Sequence, residues 1–475
     1  MYIDDEPMLF NSGLFLLMLL FVLFFYRLLY KFKTARIAFL TCFSIYFYYK
    51  SCGVFTFLIL ASAILDFSLS HLIYKQEKKF YKSLLLCLSL IVNLGNLFYF
   101  KYTNFFIEIF NQLQNGQAIS PIELFLPIGI SFYTFENISY TIDVYRGQFK
   151  PINSLLDYTF FLTFFPKLVA GPIVRASDFI PQIRASVILA ESVYAKATLL
   201  ICGGLIKKSI ISDYIGINFV DRIFDNPTLY TGMENLLAVY GYTIQIFCDF
   251  SGYSDIAIGI AMWLGFSIPD NFKTPYRSTS ITEFWRRWHI SLSSWLRDYL
   301  YIPLGGNRKG KFRQYINLII TMLLGGLWHG ASWKFILWGA LHGLALAIEK
   351  LFEPLIRFPK NNFVLLFKGL LTFHFVAFCW IWFRASDFAN AQEVIKQISF
   401  LKFDLFFKII FGYKWVFALI GIAYLWHFLP FEKLEIEKNK LIQNIYIQAF
   451  VLGIVMWLVS QVKSSEIQPF IYFQF

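Results

Sequence analysis

Residues 280–343 read SITEFWRRWHISLSSWLRDYLYIPLGGNRKGKFRQYINLIITMLLGGLWHGASWKFILWGALHG. A Trp-rich charged segment, a glycine-bearing basic loop and a histidine inside an apolar run follow one another here, which is not how a water-soluble core is built. Ser280 and Glu283 have the spacing of a capping box, so a helix is expected to start there. At about 100° per residue, Trp285, Trp288, Leu292, Trp295, Leu296 and Tyr299 share one face and Glu283, Arg286, Arg287, Arg297 and Asp298 the other. His289 falls at the edge of the apolar face. Such a helix belongs at a membrane interface or along a polar cavity inside a membrane protein.

Beyond Pro303, Arg308, Lys309, Lys311 and Arg313 cluster around Gly305, Gly306 and Gly310. By the positive-inside rule this turn is cytoplasmic. The run Tyr315 to Trp328 then carries the chain inward, with Gly325 and Gly326 just before His329 and the small residues Gly330, Ala331 and Ser332 after it. An ionisable side chain at such a depth is costly, which makes His329 a functional candidate; the bland alternative is a histidine bonded to a facing carbonyl. His342 follows, with Gly339 and Gly343 near it.

The whole chain has the same character. Of its 475 residues 57% are hydrophobic, 20% aromatic and only 15% charged, and the mean hydropathy is +0.57. These values predict an all-α polytopic membrane protein rather than a soluble domain. The net charge of +12 is spread in short clusters between apolar runs, so it sets topology rather than forming a nucleic-acid-binding face. The six cysteines stand singly with no CxxC spacing, and no metal site is expected.

Taken in order, the acidic start MYIDDEPMLFNSG lacks the basic flank of a cleaved signal peptide, so the run Leu9 to Leu29 is expected to remain as a span with the amino end outside. Runs at 37–49, 53–73 and 83–100 follow. The segment with Pro127, Gly129, Glu136, Asn137 and Asp143 is too polar to face lipid. Pro166, Gly171 and Pro172 suggest a broken or re-entrant segment. The run 236–266 reads as a helix whose interrupted middle, with Asp249, Ser251, Tyr253, Ser254 and Asp255, faces the interior; a kink at Gly252 is the alternative. Runs at 333–348, 363–383, 413–429 and 444–462 complete roughly 11–13 transmembrane or re-entrant helices by a ruler of about twenty residues. No linker or repeat divides residues 1–475, which read as a single membrane domain, and the basic residues Lys433, Lys438 and Lys440 place the carboxyl end outside.

The motifs FWRRWHISLSSWLRDYLYIPLGGNRKG and GGLWHGASW, with PIGISFYTFENISYTIDVYRG at 127–147, FFPKLVAGPIVR at 164–175 and FCDFSGYSDIAIGIAMWLGFSIPDNFKTPYRS at 247–278, resemble the membrane-bound O-acyltransferase (MBOAT) superfamily. The likeness is to the bacterial branch of alginate and peptidoglycan O-acetylation membrane proteins. It implies a bundle of helices in the bacterial inner membrane around a central acyl-transfer cavity. His329 then corresponds to the catalytic histidine and His289 to the second histidine of the site. The implied donor is acetyl-CoA, whose phosphates suit Arg308, Lys309, Lys311 and Arg313 at the cytoplasmic mouth. The implied acceptor lies outside, either a glycan hydroxyl or a periplasmic SGNH-type hydrolase-like protein. Glu136 departs from the uncharged polar residue often found there, and either supports the site or pairs with a nearby base.

The last residues, IQPFIYFQF, read first as an aromatic belt of Phe470, Phe473 and Phe475. They also resemble the aromatic tail of the small partner peptide of the D-alanylation system, which implies that Tyr472 receives the acyl group from the His329 site and passes it on. Imidazole is the side chain whose pKa sits near working pH, so His329 is suited to act as base, and a thioester donor removes the need for a covalent serine or cysteine. A transporter or channel would be favoured by inverted repeats, which the sequence does not show. A metalloenzyme built on His289, His329 and His342 lacks an HExxH spacing, and a scaffold for a partner enzyme requires a dead site.

Overall fold

The computed structural model describes residues 10, 12–114, 116, 118–186, 190–353, 361–429, 443–462 and 470–471. Among them every regular element is helical and there is no strand. Five helices are long and apolar enough to cross a membrane: Lys33–Lys75, which contains a three-residue turn at Gly53–Phe55, Lys79–Leu113, Trp333–Phe352, Asn362–Arg384 and Ile445–Val462. A sixth candidate is Phe406–Gly412 with Lys414–Phe428, bent by 96° at Tyr413. The chain is a multi-pass membrane protein. The runs 37–49 and 53–73, expected as separate spans, belong to one stretch of 43 residues, because Gly53 turns for only one 3₁₀ turn before the helix resumes.

The described chain forms two compact units, Met1–Ala197 with Ile256–Pro269 and Thr198–Asp255 with Asp270–Phe475. In the first, Ile130–Tyr145 is buried along nearly its whole length, as its polar residues require. Glu136 is the base-paired alternative of the two open at that position: its carboxylate meets Lys167 Nζ at 2.5 Å and accepts from Val174 N at 3.1 Å. Lys167 lies in the expected broken segment, where the short helix Phe165–Leu168 ends and Gly171 turns back so tightly that a Cβ there would lie 2.4 Å from Lys167 Cα. A paired carboxylate and ammonium therefore brace the non-helical backbone, and removing one partner of such a pair costs about 3–5 kcal/mol. Asp66 is held likewise, by Ser89 Oγ at 2.5 Å and Asn93 Nδ2 at 2.7 Å.

In the second unit the hairpin of Lys311–His329 and Trp333–Phe352 is packed through glycines. A Cβ on Gly326 would lie 2.2 Å from Phe335 O, one on Gly339 2.3 Å from Met322 O, and one on Gly343 2.9 Å from Ile319 Cα. Only hydrogen fits at these points, so the two backbones run in contact. The segment 206–220 carries two π-type turns, Ile206–Ser212 and Gly216–Val220.

Two expectations are corrected here. Gly232–Trp263 runs unbroken through Gly252. Instead of kinking the helix, Gly252 admits a neighbour, since a Cβ there would lie 2.8 Å from Gly204 O. Asp249, Ser251 and Ser254 are nevertheless buried, as expected. Conversely, the helix expected to continue from Ser280 through Tyr299 is broken after Arg287 and resumes as Ile290–Leu296. The Ser280 cap is real, accepting from Glu283 N at 3.1 Å, while the Glu283 carboxylate reaches Thr279 N at 2.8 Å.

Gly339→Ala should lower stability by about 1–3 kcal/mol, the range for forcing an extra methyl into a packed contact. Gly453→Ala, whose Cβ would meet nothing within 4 Å, serves as the control. Thermal unfolding of both variants in detergent checks the difference, and equal melting temperatures would refute the close packing.

Candidate active site

The hairpin and the broken helix bring three histidines into one row. The His289 ring lies 5.9 Å from Trp328, Trp328 5.0 Å from His329, His329 5.1 Å from Trp338, and Trp338 4.8 Å from His342, all between ring centroids. An indole thus separates each imidazole from the next. All three histidines are buried. They do not converge on a shared point, and among the described residues no group of three His, Cys, Asp or Glu side chains is placed to hold a metal ion.

His329 ends Lys311–His329, where Gly330 begins an extended link to Ser332. Its ring makes edge contacts with Trp328, Trp338 and Phe383, the last at 5.2 Å. Gly330 is required beside it, because a Cβ there would enter the Phe335 ring. The site is therefore walled by aromatic carbon, an environment in which a polar reaction centre is shielded from water.

His289 is more unusual than its sequence position suggests. It sits at the helix break in the left-handed region, φ 42 and ψ 56, where a residue with a Cβ is strained. The neighbouring segment fixes this conformation: Asn271 O accepts from Ile290 N at 2.9 Å and Lys273 N donates to Arg287 O at 2.9 Å. The Asn271 side chain then sets the tautomer. Its Oδ1 accepts from the backbone N–H of Ser291 at 3.3 Å and lies 3.1 Å from His289 Nδ1. A backbone N–H can only donate, so the shared atom is an oxygen, Nδ1 carries the proton, and the lone pair stays on Nε2. Phe250 closes the site 4.6 Å from the His289 ring. His342 is held the other way, its Nδ1 accepting from Trp285 Nε1 at 3.3 Å, a packing role for both residues.

Two cavities adjoin the hairpin. One, of about 390 Å³, is walled by apolar groups including Trp285, Leu318 and Met322, with Arg286, Arg297 and Lys350 also lining it. The other, of about 440 Å³, is polar and lined by Lys334, Arg384, Asp249 and Ile471 among others. Lys334 lies in the first turn of Trp333–Phe352, the helix that follows His329, and donates to Ala385 O.

Arg308 and Lys309 lie in the turn and Lys311 and Arg313 in the first helical turn after it, all four exposed. They are at the opposite end of the helix from His329, about 27 Å away at 1.5 Å per residue. Gly305, Gly306 and Gly310 have φ of 112°, 54° and 88°, which explains their place in the loop. Gln314, immediately after Arg313, lines the apolar cavity.

Tyr472 lies outside the described residues, as do Phe473 and Phe475. Phe470 is not at a lipid interface: it is buried against Phe250 and Tyr253 at 5.3 and 5.0 Å. The next residue, Ile471, donates its N–H to Asp249 Oδ2 at 2.9 Å. Asn271, Ser291, Phe250 and Phe383 escaped the sequence reading, because nothing local to them marks a role.

The model of the membrane-bound O-acyltransferase family matches residues 148–386. Over 314 residues the chain is 46% identical to the probable alginate O-acetylase AlgI of Pseudomonas putida, covering 65% of this chain and 63% of that protein. It is 36% identical over 367 residues to the peptidoglycan O-acetyltransferase of Helicobacter pylori, covering 71% and 69%. It is 31% identical over 291 residues to the teichoic acid D-alanyltransferase of Bacillus subtilis, covering 56% and 71%. The chain spans about three fifths of the length of the alginate relatives it matches. The matched segment contains the broken helix with His289, the basic loop and the glycine-packed turn with His329, and the chain belongs to the membrane-bound O-acyltransferase family.

Proposed function

We propose that the chain is an O-acetyltransferase of the bacterial inner membrane, taking an acetyl group from cytoplasmic acetyl-CoA and delivering it to a hydroxyl on the outer side. The acceptor is a glycan, peptidoglycan or an exopolysaccharide such as alginate, reached directly or through a periplasmic SGNH-type hydrolase-like partner. One observation carries this reading. His329 ends a helix whose earlier turns line an apolar cavity with Arg286, Arg297 and Lys350, while a polar cavity lies at the His329 end. An apolar slot with cationic groups suits a thioester arm and its phosphates. The exposed cluster Arg308, Lys309, Lys311 and Arg313, at the start of that helix and away from His329, adds a longer-range attraction.

In the reaction the acceptor oxygen bonds to the thioester carbonyl carbon as His329 takes its proton, and the carbon–sulfur bond breaks. The leaving thiolate then receives that proton. The relatives' printed names, O-acetylase and O-acetyltransferase, support acetyl as the group moved. His289, fixed by Asn271, orients the donor or the base through hydrogen bonding. Tyr472 is proposed as a relay, its hydroxyl accepting the acetyl group and handing it to the final acceptor. Its chain neighbour Ile471 lines the polar cavity, which supports the relay.

His329→Ala should reduce turnover of radiolabelled acetyl-CoA by the purified chain on the order of 10² to 10⁴-fold, the range for loss of a general base. Unchanged turnover removes His329 from the mechanism. His289→Ala should lose as much or less, and His289→Gln should recover part of the loss if hydrogen bonding is its contribution. Rates in membranes, with folding checked by tryptophan fluorescence, separate the two. Tyr472→Phe keeps the ring and removes the hydroxyl, so transfer to the acceptor should fall sharply; a normal rate leaves the tail as an anchor only.

A further inference from the structure

We infer that the stretch 400–415 is an in-plane membrane anchor. The helix Phe406–Gly412 lies along the bilayer surface, with its phenylalanines among the acyl chains and Lys402, Lys408 and Lys414 against the phosphates of anionic phospholipids. This surface goes beyond the acyl-transfer reading and does not depend on it.

Phe406–Gly412 and Lys414–Phe428 meet at 96°, so only one of them can follow the membrane normal. The 7 residues of the first rise about 10 Å, a third of a hydrocarbon core of roughly 30 Å. The second has 15 residues, and between Trp415 and Trp426 it carries no charge. As two halves of one broken span, the pair would bury Lys408 and Lys414 in hydrocarbon, which is costly. As a surface helix followed by a descending one, it leaves both lysines at the level of the headgroups.

The side chains of the short helix divide into three sectors. Ile409 is buried against the protein, whereas Phe407 and Phe411 are 71% and 74% exposed and Lys408 is exposed as well. At about 100° per residue the two phenylalanines stand about 40° apart, with Lys408 about 100° to one side of Phe407 and Ile409 about 200° round. Protein, lipid and water each receive one side, the pattern of a helix held at an interface. Phe403 and Trp415 extend the aromatic stripe at either end, and Trp at the bend suits the headgroup level. Beyond it the stripe runs on into the exposed Ile422 and Leu425 of the descending helix, so the same lipid covers both. The charge matches an anionic headgroup: the stretch holds three lysines and one carboxylate, Asp404. Lys396 is held by Glu393 at 3.2 Å, but Lys402, Lys408 and Lys414 form no ion pair among the described residues.

The bend is tied to the polar cavity. Phe219 packs on Tyr413 at 4.8 Å and on Phe417 at 5.2 Å, and its turn, Gly216–Val220, also supplies Gly216 and Ile217 to the cavity wall. An anchor at 400–415 therefore sets the height of that wall relative to the headgroups.

The test uses the full chain in nanodiscs of phosphatidylcholine and phosphatidylglycerol. The exposed cysteines are removed by Cys42→Ser and Cys87→Ser, and a bimane is attached in turn to Phe407→Cys, Lys408→Cys and Phe411→Cys. Iodide quenches from water, and lipids with a nitroxide near the headgroup or deep in the acyl chain quench from a known depth. The labels at 407 and 411 should be quenched most by the shallow nitroxide, and the label at 408 by iodide. One quencher dominating at all three positions overturns the anchor: the deep nitroxide would make the segment half of a broken span, and iodide would leave the face to a soluble partner. With the shallow nitroxide on phosphatidylglycerol, the label at 411 should be quenched about fivefold better than with it on phosphatidylcholine, the effect of one lysine beside an anionic surface. Lys402→Gln, Lys408→Gln and Lys414→Gln together should abolish that preference. If the triple variant does not melt like its parent, Lys408→Gln alone carries the comparison. Equal quenching by the two lipids in the parent, or a preference that survives the lysine changes, overturns the headgroup site.

Discussion

The close approach of Lys311–His329 and Trp333–Phe352 is the constraint on which the second unit depends. Gly326 and Gly339 let each backbone touch a carbonyl of the other helix. In a membrane there is little hydrophobic gain from pairing two apolar helices, so dispersion at a tight backbone contact becomes the main attraction. That contact sets the register in which Trp338 meets His329 on one side and His342 on the other. A wider spacing would separate the row of imidazole and indole rings, and His329 would lose its enclosure.

The opposite device holds His289. There the backbone is locally strained, and its conformation survives because the surrounding segment over-determines it. Asn271 contributes a main-chain carbonyl to Ile290 N and a side-chain oxygen to Ser291 and to the imidazole. One residue therefore secures both the break in the helix and the proton on Nδ1. Strain concentrated beside a rigid hairpin is consistent with a site in which orientation matters more than local stability.

Much of the buried charge is paired, while Asp66 is met by Ser89 and Asn93 and Lys334 by the Ala385 carbonyl. Glu136 with Lys167, Arg184 with Asp157 at 2.6 Å, and Lys208 with two aspartates each place a cation against a carboxylate. Taking an unpaired charge out of water is prohibitive, whereas a bonded pair is tolerable. The Glu136–Lys167 pair sits at the broken segment after Phe164, and the Lys208 pairs along the π-type turns at 206–220. They stabilise irregular backbone that apolar packing alone would leave unspecified.

The helical class, the membrane setting, the basic loop and the candidacy of His329 were legible in residues 280–343, because each follows from local composition and apolar periodicity. The Ser280 cap was legible from its spacing to Glu283, and the burial of Asp249 and Glu136 because a polar residue in an apolar run has to face protein. What the sequence could not reveal was decided by partners distant along the chain. The face pattern of 281–299 fits one continuous helix, and only the bonds from Asn271 and Lys273 to the other side of the break make the left-handed turn at His289 preferable. Gly252 resembled a kink in sequence, yet its use is to admit Gly204 O. Local propensity sets which segments become helices, but a break, a tautomer or a cavity depends on which atoms from elsewhere arrive to satisfy it, and that is fixed by the tertiary packing alone.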